Sequence, residues 1–404
     1  MQQRSSDRSC SGRVSREMAS NGTVIVTGYL VRNTAGGHVL SILHYLDGLR
    51  QLGYDVVFLE HFGWAESCYD PTIGAMTDDP GHGISVISPV LRSIGVERWC
   101  YVAADGTYHG MSREDVLSAC REAELLISLW LVTWMEEMRE CRYRIFVDLD
   151  PGFTQFPMPP APTPARDGYA SPYEFDIHFS YGTRIGAPDC PIPAHGILWR
   201  PLLPPVSLRL LPPVSTTDCG RFTTVMGWNS RSPIVYDGQE YGQKDIEFRR
   251  VIDLPKRLPE MTFEIALGGG SAPREEIAAA GWKLVDPQMA IPTPERYLDY
   301  IAGSSGEFSV AVNLEVKARS GWFSDRTAAY LASGRPAVVQ DTGFSEILPT
   351  GEGLLAFDDL DGAVAAIESV CSDYPRHCRA ARAIAEEHLD ARKVLGEILR
   401  QCER

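Results

Sequence analysis

Lysine is scarce in this chain: only five of its 38 basic residues are Lys. An arginine bias of that size is compositional and carries no function by itself, but it makes Lys244 and Lys317 conspicuous. Also missing is any Cys-x-x-Cys pair among the ten cysteines, which argues against a zinc cluster and a disulfide framework and fits a reducing cytoplasm. The longest apolar run, Leu125 to Met135, is far short of the ~20 residues that a membrane span needs. The first twenty residues lack the apolar stretch of a signal peptide and read as a polar, disordered extension. Basic excess is absent as well. A formal charge of −15 argues against nucleic acid or an anionic membrane as partner, so any anion site must be local. What remains is 404 residues, 44% hydrophobic and 23% charged, a globular composition that suits two domains of roughly 180 residues each.

Apolar runs alternate with helical periodicity along most of the chain. Thr23 to Thr27 is a β-branched run, and Gly36-Gly37-His38 precedes an amphipathic stretch that stops at Gly53, before the strand-like residues 55–60. That is a βαβ unit. Helix-like residues 84–94 and 112–123 and strand-like residues 125–128 and 144–148 continue it. A Pro-rich segment, Pro151 to Pro172, interrupts the pattern, and a second break, Pro201 to Pro213, falls near the midpoint and reads as an interdomain linker. Beyond it, strands at 222–227, 262–267, 282–285 and 308–312 alternate with helices at 244–253, 273–280 and 294–302. Strands apolar throughout and separated by helices imply parallel sheets covered on both faces. The predicted class is therefore α/β: two Rossmann-like parallel-sheet domains, 21–205 and 206–385, facing across a cleft, with C-terminal helices at 386–404.

The most informative stretch runs from Arg319 to Gly343. Ser324 and Asp325 can cap a helix whose free amides and positive dipole end attract phosphate, and Arg319 and Arg326 flank the same turn with guanidinium forks that match phosphate oxygens. Gly334 ends the helix, and Pro336 to Val339 is a short apolar strand. An ordinary αβ unit with a surface arginine pair is the plainer reading of the same residues.

Arg326 to Gly343, with Glu346 just after, resembles the donor signature of the GT-B glycosyltransferases: a helix, an Ala-x-Gly-x-Pro turn, a strand, and a Gly before an acidic residue. The Gly36-Gly37 loop is similar to the acceptor-side glycine loop of several members. The resemblance implies a second domain that binds a nucleoside diphosphate sugar and a first domain that binds the acceptor. Retaining members often carry a Glu-x7-Glu pair around this helix; Ala329 stands where the second Glu would be, so that pair's roles do not carry over.

On this reading Lys244, Gly269, Arg319, Ser324, Asp325, Arg326, Thr327 and Glu346 are expected to hold the donor. Gly36, Gly37 and Asp150 are expected on the acceptor side. His38 is the candidate base for the acceptor hydroxyl, with Asp148 orienting it or touching the acceptor. The Asp148-x-Asp150 pair lies in the wrong domain for the metal motif that it resembles, so no metal and no cofactor beyond the donor co-substrate are expected. The expected function is metal-independent transfer of a sugar to a hydroxyl of a natural product or glycan, with small-molecule partners, no nucleic acid and a cytoplasmic location; a homodimer is compatible with it. Two alternatives stay open: a hydrolysing nucleotide-sugar 2-epimerase of the same fold, and a catalytically silent partner subunit.

Overall fold

The structure is a computed structural model that describes residues 21–130, 134–159, 170–214 and 219–402. The N-terminal extension and the middle of the Pro-rich segment lie outside those residues. The first sheet is built from β1 (Thr23–Thr27), β2 (Asp55–His61), β3 (Arg98–Val102), β4 (Tyr108–Gly110), β5 (Ala123–Leu129), β6 (Arg144–Asp148), β7 (Ile177–Ser180) and β8 (Trp199–Pro201). Their order is β8-β7-β6-β5-β1-β2-β3-β4, parallel except for β4. Central β1 pairs Val24 with Val56 on one side and with Leu125 on the other. Helices cover both faces, so alternate positions cannot be polar and Val24, Ile25 and Val26 are all fully buried.

The second sheet comprises β9 (Arg221–Gly227), β10 (Thr262–Gly268), β11 (Lys283–Val285), β12 (Gly306–Ser309), β13 (Ala337–Gln340) and β14 (Leu354–Phe357), ordered β11-β10-β9-β12-β13-β14 and wholly parallel. Strand β12 begins at Gly306, earlier than the apolar run 308–312 suggests, because buried Glu307 has a charged partner on a neighbouring helix. The helices that matter below are α1 (Gly36–Gln51), α2 (Lys244–Val251), α3 (Pro294–Ala302), α4 (Asn313–Ala318), α5 (Asp325–Ala332) and α6 (Ala391–Cys402). Helix α6 buries Ala391, Val394, Leu395 and Ile398, and it returns to the first domain to pack on α1. The outgoing and returning segments run side by side: Val206 donates to the Leu389 carbonyl at 2.7 Å, and Ala391 to that of Val206 at 2.9 Å.

The domains meet through several bonds. The Gly36 amide donates to the Ile291 carbonyl (3.3 Å), the Trp322 indole to that of Leu149 (3.2 Å), and the Arg184 amide to that of Ser320 (2.9 Å). Around the last of these, Arg184 pairs with Asp189 (2.7 Å) and with Glu346 (2.9 Å), which also accepts from Arg319 (2.8 Å). One expectation fails here. Cys219 and Cys371 form a disulfide, with Cα atoms 5.5 Å apart. They are 152 positions apart in the chain, so no local spacing announces the pair. No helix of the described residues is long and apolar enough to cross a membrane.

Candidate functional site

On the first-domain side, the loop after β1 is fixed from below by Glu60, a carboxylate near the end of β2 just after its apolar run Val56 to Leu59. Its carboxylate accepts from the amides of Leu30 (2.8 Å), Val31 (2.8 Å) and Arg32 (2.9 Å), and burial raises its pKa to about 7. This holds Tyr29 so that its carbonyl meets Nε2 of His38 at the start of α1. A carbonyl only accepts, so Nε2 carries the proton and Nδ1 keeps the lone pair. Burial lowers the His38 pKa below its ordinary value, the Tyr29 carbonyl and Asp150 opposing it and Arg32 adding to it, so the ring is neutral at pH 7. Trp130 stacks on the imidazole at 5.1 Å and on Tyr29 at 6.0 Å. It does so with φ of 61°, a left-handed conformation that costs a bulky residue about 1–3 kcal/mol and is held only where neighbours enforce it.

Asp148 does not orient His38. Only 1% exposed, it accepts from Thr154 (2.7 Å), Gln155 (2.7 Å), Ser180 (2.8 Å) and the Asp150 amide (3.3 Å). Those bonds make it the anchor of the turn after β6. That turn delivers Asp150 to the cleft, where the carboxylate meets Arg231 of the second domain at 2.7 Å. Tyr29, His38, Trp130, Asp150, Phe153 and Arg231 help to line a cavity of about 650 Å³. A neighbouring cavity of about 300 Å³ lies between α1 and the second domain, with His38 and Ser41 on one wall and Tyr297, Asp325 and Arg326 on the other.

On the second-domain side, Lys244 opens α2, half-buried, and among the described residues its ammonium has no ion-pair or hydrogen-bond partner. Burial, and then the charge of Arg326, lower its pKa to about 7, against the pull of Glu307, Asp325 and Asp150. Ser324 caps α5 as expected, but its hydroxyl and the Asp325 carboxylate both accept from the Arg326 amide, at 3.2 and 2.8 Å. Burial raises the Asp325 pKa. Among the described residues the Asp325 and Thr327 amides meet no protein acceptor, so the helix end keeps anion-binding capacity beside an acidic side chain.

Several expected donor contacts are engaged elsewhere. The Arg326 guanidinium donates to Glu307 (2.5 Å), to the Val225 carbonyl (2.7 Å) and to Ser309, which makes it a buried tie between α5 and the sheet. Arg319 and Glu346 pair with each other at the domain junction, and Lys317 donates to the Glu240 carbonyl at 2.8 Å. Gly269, at φ 98°, turns the chain after β10 beside Trp228. Gly36 is required by packing: a Cβ there would run into the Thr293 carbonyl of the second domain, and one at Gly37 would lie 3.0 Å from the Tyr297 ring. Gly36→Ala is therefore expected to push the domains apart at this contact. Small-angle scattering should show a larger radius of gyration, and an unchanged radius with full activity would refute the packing role.

Arg231, Trp130, Tyr29 and Glu60 were not foreseen. Glu60 leaves a sequence signal, a carboxylate closing an apolar strand, whereas Arg231 is one arginine among many and becomes distinctive only beside Asp150. Among the described residues no three His, Cys, Asp or Glu side chains are grouped as metal ligands.

No protein-family model matches the sequence, and no curated protein sequence matches it. Solved structures do match. An α-glucosyltransferase in complex with UDP and a 13-mer DNA containing a central A:G mismatch is 11% identical, with a TM-score of 0.59 over 96% of this chain and 100% of that one. The glycosyltransferase AviGT4, involved in avilamycin A biosynthesis, is 14% identical at a TM-score of 0.52, over 95% and 97% of the two chains. Anabaena HepE in complex with UDP and glucose is 10% identical at 0.54, over 95% and 100%. Such identities speak for the fold, and the coverage spans both domains and the cleft. The chain has the two-domain α/β fold of the GT-B glycosyltransferases.

Proposed function

We propose that the protein is a glycosyltransferase that moves a sugar from a nucleoside diphosphate donor in the second domain to a hydroxyl acceptor in the first. The observation that carries this reading is Lys244, a half-buried cation without a protein partner that lies near Asp325 at the open end of α5 and near Asp150 of the first domain. A half-buried charge without a partner is costly unless a ligand supplies one. The diphosphate of the donor does so, and the α5 amides add dipolar stabilisation as the leaving group gains charge. Across the cleft, neutral His38 offers Nδ1 to the acceptor hydroxyl and passes no charge to the donor until the proton moves. Charge at the diphosphate is met by side-chain cations and backbone amides, which is the metal-independent form of the reaction.

The larger cavity, walled by Tyr29, Trp130 and Phe153 and bordered by the start and end of the Pro-rich segment, suits a ring-containing natural product or a glycan. A net charge of −15 supports such an acceptor over a nucleic acid, although three of the matching α-glucosyltransferase structures hold DNA. UDP is the first nucleotide to test because several neighbours hold it. A thermal-shift series with UDP, GDP, dTDP and ADP should raise the melting temperature with at least one, and release of that diphosphate from its sugar should require an acceptor. Stabilisation by none of the four would remove the donor site, and acceptor-independent release would indicate hydrolysis or epimerisation.

Lys244 makes a sharper prediction. A lysine with a free-state pKa of about 7 must gain a proton to hold a diphosphate at higher pH, so affinity for the donor sugar nucleotide should fall up to tenfold per pH unit above about pH 7. Lys244→Met should abolish that dependence and weaken binding by about 1.5–3 kcal/mol, the value of a hydrogen bond to a charged group. Titration calorimetry from pH 6 to 9 checks both, and a Met variant with wild-type pH dependence would exclude Lys244.

A further inference from the structure

We propose that Asp150 and Arg231 form a substrate-exchanged ion pair: the donor diphosphate takes Arg231 away from Asp150, and the released carboxylate then supports protonation of His38 during transfer. The proposal rests on the glycosyltransferase reading and deepens it by making acceptor activation depend on the donor.

The pair joins opposite walls of the cleft. Arg231 lies four residues beyond β9, on the loop leaving the second sheet, and donates through Nη2 to Asp150 at 2.7 Å while lying over the Phe153 ring at 4.5 Å. Both side chains are partly open to solvent, at 45% and 37% exposure. An ion pair so exposed contributes about 0–1 kcal/mol, so a competing ligand displaces it at little cost. The two arginines of the Arg319 to Gly343 stretch cannot serve: Arg326 is tied to Glu307, Val225 and Ser309, and Arg319 to Glu346. Among the described residues, the direct contacts of the Arg231 guanidinium are one exposed carboxylate and an aromatic face. A diphosphate offers two negative phosphoryl groups and oxygens that fit a guanidinium fork, which favours it over a single carboxylate.

Release changes the field at the base. Asp150 acts electrostatically on His38, Lys244, Asp325, Asp148 and Glu315, and all five become easier to protonate as Asp150 loses its counter-charge, which favours the charged form at His38 and Lys244. Both changes have the sign that transfer requires: Lys244 must be charged to hold the diphosphate, and His38 must accept the hydroxyl proton. The turn anchored by Asp148 keeps Asp150 in place when Arg231 leaves, because its bonds to Thr154, Gln155 and Ser180 do not involve the second domain. Asp150 is accordingly a positioning residue that acts through His38, and Arg231 belongs to the donor site.

The test is a double-mutant cycle read by calorimetry with whichever of UDP, GDP, dTDP and ADP binds the wild-type protein most tightly. Arg231→Met should weaken binding at least tenfold. Asp150→Asn, which frees Arg231 in advance, should tighten it by up to about fivefold, the equivalent of 1 kcal/mol, and that gain should vanish in the Arg231→Met background. Turnover in Asp150→Asn should nonetheless fall at least tenfold with no rise in donor KM. Looser binding in Asp150→Asn, or a gain that persists without Arg231, would overturn the exchange. Unimpaired turnover would overturn the support given to His38. If no nucleotide binds wild-type protein, the glycosyltransferase reading falls and the exchange with it, whereas wild-type binding with a loosened Asp150→Asn variant removes the exchange alone.

Discussion

Arg326→Met is expected to destabilise the protein by about 3–5 kcal/mol, the largest stability loss for any single residue of the Arg319 to Gly343 stretch. The guanidinium is 11% exposed and Glu307 fully buried, so removing one partner strands the other charge away from water. Glu307 is already short of bonds, since its second carboxylate oxygen has no hydrogen-bond partner among the described residues. Losing Arg326 would leave a strand carboxylate in the parallel sheet without its partner, with Lys244, on which that carboxylate already acts, as a replacement. That replacement has its own signature: Lys244 should move toward Glu307, and nucleotide affinity should fall together with stability. The double variant Arg326→Met/Glu307→Gln should recover much of the loss, because replacing both members of a buried pair is far less costly than removing one. Urea unfolding monitored by tryptophan fluorescence reads all three proteins. A single-variant loss below about 1 kcal/mol would mean that the pair does not carry the α5-to-sheet contact.

His38→Gln should lower transfer by about 10²- to 10⁴-fold, the usual contribution of a positioned general base, while leaving nucleotide affinity unchanged. Glutamine keeps a donor for the Tyr29 carbonyl and much of the stacking on Trp130, so the substitution isolates proton transfer from packing. The wild-type pH profile should carry the same information. Burial holds the His38 pKa below its ordinary value of 6.5, so the ring is already neutral at pH 7; turnover at saturating donor should be flat through neutrality and decline in acid, as the folded-state pKa is crossed and the base becomes protonated. The decline should disappear from the residual activity of His38→Gln. A variant with full turnover, or one whose loss lies wholly in donor affinity, would place the base elsewhere; Asp325, which shares the smaller cavity with His38 and has a raised pKa, would be next to examine.

Much of the fold was legible because it is written in local patterns. The βαβ unit from Thr23 to His61, the strand Arg144–Asp148 and the helix capped by Ser324 all follow from apolar periodicity and capping chemistry, which act within one turn or one strand. Short strands such as Ile177–Ser180 and Leu354–Phe357 escaped, since four residues leave too few repeats for a period to register. The site was legible in outline only. His38 and Asp150 line the larger cavity, and Lys244 lies within electrostatic reach of Asp150 and of Asp325 at the α5 end. Arg319, Arg326 and Glu346 looked equally suited to a phosphate, and nothing local distinguishes an arginine that waits for a ligand from one already paired.

By itself, then, the sequence determined the α/β class, its parallel sheets and many of the turns between their elements, because hydrophobic period and turn chemistry are properties of neighbouring residues. Only the tertiary structure decided which charges are spent and which remain available. Pairing depends on residues far apart in the chain: Glu307 claims Arg326 across 19 positions, Glu346 claims Arg319 across 27, and Asp150 meets Arg231 across 81. The physical reason is that desolvation and Coulomb attraction follow distance in space, so the chemistry of Lys244 and His38 emerges only once folding has settled every other charge around them.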